Sequence, residues 1–138
     1  MLCNKLFTSR GVWPNGIFIV RIITAVMIFY HGLELFDTKA MDDLKDFLTD
    51  IKFPLTVPMA YTAKITEFGG SILLAAGLFT RLITVPLMIC MVVVTAGMGN
   101  WSIFNSETSS LFFVLFLLFF LTGPGKISAD YWLFDRKK

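Results

Sequence analysis

The chain is 138 residues long, 56% hydrophobic and 15% aromatic, with a mean hydropathy of +0.73 and a net charge of +2. So apolar a composition leaves too little polar surface to cover a soluble domain, and it marks an integral membrane protein with no nucleic-acid partner in view. At roughly 20 residues per helical span this length admits four spans, and continuous apolar runs exclude a β-barrel, whose segments alternate over about ten residues.

Residues 1–15 form a polar lead with Lys5 and Arg10, and with Trp13 and Pro14 where a bilayer interface begins. The lead lacks an apolar core, so the first span, residues 16–36, is expected to direct insertion itself. On that span Arg21, Thr24, Ala25, Ile28, His31 and Gly32 share one side at 100° per residue, with Glu34 about one turn beyond His31. Residues 41–53 follow the i, i+3, i+4, i+7 rule through Leu44, Phe47, Leu48 and Ile51, which predicts a short amphipathic surface helix. Its acidic excess argues against attachment to anionic lipid.

The second span, residues 58–79, carries a stripe of Ala63, Glu67, Gly70, Ser71, Leu74, Gly77 and Arg81. Small residues mark the side where helices approach in lipid, and a carboxylate there must face protein or water. The third span, residues 82–98, has no charge and reads as packing and lipid contact, with Pro86 near its start. After a loop with Trp101, the fourth span covers residues 107–122, and Gly123-Pro124-Gly125 stops it ahead of a surface tail, 123–138. The predicted fold is one all-α domain, an antiparallel four-helix membrane bundle. With Lys5, Arg10, Arg21, Arg81, Lys126 and the basic C-terminus on one side, the positive-inside rule places both ends in the cytoplasm.

Several chemistries drop out. Cys3 and Cys90 form no CxxC pair, and the lone His31 rules out a haem held by two histidines of this chain and any obvious zinc site. No metal site is expected, and no self-contained active site is seen. What remains is a set of ionisable residues inside the membrane, where each charge costs at least about 2.5 to 3.5 kcal/mol unless paired, solvated or useful. His31, Glu34, Lys64, Glu67 and Glu107 fall toward the outer half and outline a polar pocket walled by spans one, two and four. Histidine changes charge near physiological pH, so His31 is a candidate to exchange protons with Glu67 or Glu34. The competing readings are structural: a Glu67–Lys64 ion pair, a snorkelling Glu34, and a Glu107 explained by capping and the helix dipole. Arg21, Arg81, Gly70 and Gly77 read as packing and orientation devices.

Arg21 with His31-Gly32, Glu67 with Gly69-Gly70, Gly77-Leu78-Phe79-Thr80-Arg81, and Glu107 ahead of Gly123-Pro124-Gly125 with Ser128 and Asp130 together resemble the DoxX family. The resemblance implies a four-helix protein of the bacterial cytoplasmic (inner) membrane, linked in some members to quinones or oxidative stress and working with a protein partner. It carries over to Arg21, His31, Glu67, Arg81 and Glu107. The acidic helix at 37–53 departs from the more neutral segment common in the family. The reading this supports is a redox-associated membrane subunit, possible quinone as cofactor, acting in the lipid bilayer with a protein partner or as a homo-oligomer. The alternative is a non-catalytic scaffold for an envelope complex.

Overall fold

A computed structural model describes residues 16–99 and 106–135. Trp13, Pro14, Cys3, Trp101 and the basic residues 136–138 lie outside the described residues. Within the described residues every regular element is helical: α1 (Gly16–Gly32), a 3₁₀ turn (Leu33–Phe36), α2 (Thr38–Asp50), α3 (Thr56–Ala76), α4 (Thr80–Gly99) and α5 (Glu107–Thr122). One π turn, Tyr131–Asp135, follows.

The boundaries have local causes. Asp37 starts α2 by accepting a hydrogen bond from the Lys39 N–H at 3.0 Å, so this helix begins ahead of the predicted 41–53 and ends sooner, at Asp50. Gly77 ends α3 in a left-handed conformation at φ 68°, and the Leu78 N–H returns to the Leu73 carbonyl at 3.0 Å, closing a Schellman-type cap. Because α4 starts at Thr80, Pro86 falls in its second turn rather than its first, where a missing N–H does break the helical pattern. Ser106 precedes α5, yet its hydroxyl makes no capping hydrogen bond, so Glu107 is left with the helix dipole as its local support.

One core cluster takes side chains from four helices: Ala25 and Ile28 of α1, Leu74 of α3, Leu87 and Met91 of α4, and Phe112, Phe116 and Phe119 of α5. α1 packs most extensively on α3, and α4 on α5. The α1–α3 approach is close because Gly32 has no side chain; a Cβ there would lie 2.6 Å from the Phe68 Cα. Of the expected small-residue stripe, Glu67, Gly70, Ser71, Leu74 and Gly77 are buried, with Gly70 against Ile83 and Leu87, and Ala60 and Lys64 join them; Ala63 is half-buried, and Arg81 is exposed because the chain turns at Gly77 and Arg81 falls in α4. A second cluster forms where Met41 and Leu48 of α2 pack on Ala60 of α3, with Val93 of α4 alongside. The amphipathic helix thus lies across α3 and α4 with its apolar face inward.

α1 with its 3₁₀ extension, Gly16–Phe36, and Thr80–Gly97 are long and apolar enough to cross a membrane. α5 is apolar but shorter, at 16 residues.

Candidate functional site

Lys64 is the hub of the polar cluster. Its Nζ donates to Glu67 Oε2 at 2.9 Å, to Glu34 Oε2 at 2.7 Å and to the His31 carbonyl at 3.4 Å, which uses all three ammonium protons. Lys64 and Glu67 are one turn apart on α3, and Glu34 arrives from the 3₁₀ turn that α1 makes before α2. That turn places Glu34 over α3, something helical spacing alone does not predict. His31 Nδ1 stands 3.5 Å from Glu34 Oε1, and its ring meets Phe112 edge-on with centroids 6.2 Å apart.

The cluster is graded in depth. Side-chain exposure is 8% at Glu67 and 9% at Lys64, then 41% at Glu34 and 48% at His31. A chain of ionisable groups therefore runs from an interior carboxylate to an accessible imidazole. His31 reaches Glu67 only through Glu34 and Lys64, not by direct contact. Glu107 is exposed at the head of α5, and among the described residues it makes no ion pair.

Glu67 and Lys64 also line a cavity of about 240 Å³. The cavity is closed by Leu44, Phe47 and Phe53 from the α2 region, Met59 and Ala63 of α3, and Pro86, Ile89, Cys90 and Val93 of α4. The walls differ from the expected ones: α2 and the uncharged α4 enclose the space. Pro86, Ile89, Cys90 and Val93 do recur at i, i+3, i+4 and i+7, which marks one face. That face carries no ionisable group except the Cys90 thiol, so nothing in the sequence singled it out. Glu67 Oε2 takes the Lys64 bond, and among the described residues Oε1 accepts no hydrogen bond. The site is a mainly apolar slot whose lining includes the Glu67 carboxylate, with one oxygen not taken by Lys64.

The opposite end of the molecule is held by Arg21. Its guanidinium, 1% exposed, donates to the carbonyls of Pro124, Ile127 (2.9 Å) and Ala75 (3.4 Å), tying α1 and α3 to the chain after α5. Asp130 completes the join: its carboxylate accepts from the N–H groups of Phe79 (2.7 Å) and Thr80 (3.0 Å), capping α4 from a distant segment. A Cβ at Gly77 would lie 2.8 Å from the Arg21 Cζ and 2.7 Å from the Ser128 Cβ, so only glycine fits there. Gly123 and Gly125, both at positive φ, turn the chain back toward Arg21. The tail, expected along the surface, is thus anchored through residues 124–130, while Tyr131, Trp132 and Leu133 are exposed. Ser128 and Asp130, noted in the sequence only through the resemblance, are structural partners of Gly77-Leu78-Phe79-Thr80-Arg81.

The chain is similar over 125 residues to a Bacillus subtilis protein named "Putative oxidoreductase CatD", at 28% identity covering 89% of this chain and 90% of that one. It is 30% identical over 140 aligned positions to an uncharacterized protein of Haemophilus influenzae, covering 89% and 94% of the two chains. No solved structure matches it. The DoxX family's sequence model matches residues 16–100, which contain Arg21, the whole Lys64 cluster, all three cavity-lining helices and Arg81. The chain belongs to the DoxX family.

Proposed function

We propose that this DoxX protein is a four-span subunit of the bacterial cytoplasmic membrane that binds a quinone headgroup in the Lys64–Glu67 cavity and works with an electron-carrying partner. The membrane part is supported by the outward faces of the helices, where Val26, Ile65, Ile89, Val114 and Leu121 are all exposed. Side chains of this kind in such number suit lipid and not water. The Arg21–Arg81 end takes the cytoplasmic side and the Lys64 end the outer half, by the positive-inside rule.

The observation that carries the quinone reading is the Glu67 oxygen not taken by Lys64, in the lining of a mainly apolar slot. The cavity, at about 240 Å³, is a little smaller than ordinary ligand pockets, which begin near about 300 Å³, and so suits a single ring better than a large cofactor. A hydroquinone hydroxyl would donate to Glu67 Oε1. Its proton then has a path through Lys64 and Glu34 to His31 and out, each group within hydrogen-bonding or ion-pairing reach of the next. Oxidation of a hydroquinone releases two electrons with two protons. This chain offers a route for the protons, and the electrons go to the partner. The relative named an oxidoreductase agrees with a redox setting.

Titration of the purified protein with a short-chain quinone tests the proposal. Glu67→Gln keeps the shape but removes the anionic acceptor, and affinity should fall about tenfold, on the order of 1.4 kcal/mol. A protein that binds no quinone, or binds it equally well after this change, would sink the reading.

A second reading, a scaffold that recruits an envelope protein, draws on one feature. α2 spends its apolar face on the core and leaves Asp42, Asp43, Asp46 and Asp50 exposed. It requires that charge reversal at Asp46 and Asp50 abolish partner capture while His31→Ala leaves function intact.

A further inference from the structure

At the Arg21 end, a groove of about 690 Å³ runs between the α3–α4 turn and the chain leaving α5. Three charged side chains line it: Arg81, Lys126 and Asp130. Asp130 is committed, since its two carboxylate oxygens take the Phe79 and Thr80 N–H groups and its charge is felt by the buried Arg21 guanidinium. Arg81 and Lys126 are exposed, and among the described residues neither side chain makes a hydrogen bond or ion pair. The Arg81 guanidinium lies beside Gly123, where an added Cβ would be 3.5 Å from its terminal nitrogen. Two cations thus share a concave site in which, among the described residues, the one carboxylate is turned to the Phe79 and Thr80 N–H groups.

Apolar shoulders flank this charge. Phe79 and Leu82 line the groove at 50% and 71% exposure, and Leu121, just before its other wall, is 67% exposed. The groove also sits where three helices end, which for spans is headgroup depth. A guanidinium and an ammonium lining one groove are a donor set for a phosphate ester, and exposed aliphatic and aromatic groups at that depth suit acyl chains.

We propose that this groove binds the phosphate of an anionic phospholipid, with Arg81 as the forked donor, Lys126 as the second cation, and Phe79 and Leu82 against the chains. The inference rests on the membrane-spanning part of the proposed function and is independent of the quinone part.

Native mass spectrometry of the full chain, released from micelles doped with phosphatidylglycerol or phosphatidylcholine, reads the outcome directly. Phosphatidylglycerol should be retained in preference to phosphatidylcholine, and Arg81→Gln with Lys126→Gln should reduce its retention about tenfold, the loss of one to two charge-assisted hydrogen bonds. Arg81→Lys, which keeps the charge but not the fork, should lose less. Equal retention of the two lipids, or unchanged retention in the double variant, would overturn the site. So would displacement of the lipid by millimolar inorganic phosphate, which would mark a site for a free anion. Alkaline carbonate extraction of the source membranes keeps the two levels apart: a protein released by carbonate overturns the membrane reading along with this site, whereas a resistant protein without lipid selectivity overturns the site alone.

Discussion

Lys64 shows how one side chain sets the character of a whole site. Its ammonium pairs with two carboxylates at once, and removing it alone would leave Glu67 buried without a partner. Breaking a buried pair in this way costs about 3 to 5 kcal/mol, while replacing both members by apolar groups of similar size is often neutral. Lys64→Met should therefore lower the thermal midpoint sharply, and Lys64→Met with Glu67→Met should recover most of it. The same double variant should bind no quinone, which separates the structural task of the pair from its proposed chemical one. Arg21 is also irreplaceable in kind: Arg21→Lys keeps the charge but cannot span three carbonyls with a planar fork, so stability should fall by about 1 to 3 kcal/mol in a chemical-denaturation assay.

At the level of elements, the turn between α3 and α4 depends on a residue some fifty positions away. Asp130 holds two N–H groups that the first turn of α4 cannot satisfy internally. Asp130→Ala should destabilise the fold by about 1 to 2 kcal/mol, and Asp130→Asn, which keeps one acceptor, by less; hydrogen exchange at Phe79 and Thr80 would report the frayed cap. The sequence shows Pro86 but not where α4 starts, because the cap that sets the start comes from the tail. α2 is legible for the opposite reason. Its apolar period is local, and its N-cap, Asp37, lies next to it. On its outer face Lys45 donates to Asp42 at 2.9 Å, and that hydrogen bond raises the Lys45 pKa above the ordinary lysine value. A raised folded-state pKa means the contribution is present below the unfolded value and is lost only as pH climbs through the raised one. The pair is therefore insensitive to changes around neutrality.

For the whole molecule, the decisive question is which solvent the outward faces meet. Val26 is 61% exposed in the middle of α1. In a bilayer, Val26→Arg would cost at least about 2.5 to 3.5 kcal/mol and reduce insertion in a translocon assay, whereas in water an exposed arginine would be close to neutral. Unchanged insertion would argue against α1 as a span. The interior is laid out by four helices meeting on shared phenylalanines, and Phe116→Ala, at the fully buried centre, should cost about 3 to 5 kcal/mol. Polar chemistry is confined to the two ends of this apolar core, the Lys64 cluster at one and the Arg21–Asp130 join at the other.

The sequence alone determined the helical character, the order of the helices, the buried stripe of α3 and the family, because each of these follows from local periodicity or from short motifs. It also grouped His31, Glu34, Lys64, Glu67 and Glu107; the first four meet, whereas Glu107 stands apart, exposed at the head of α5. Only the tertiary structure decided that Lys64 stands between Glu34 and Glu67, that α2 and α4 close the cavity, and that Arg21 and Asp130 bind the tail to the helix ends. Those are contacts between segments far apart in the chain. They depend on where a 3₁₀ turn aims Glu34 and where two positive-φ glycines send the chain after α5, and neither direction is encoded in the spacing of apolar residues.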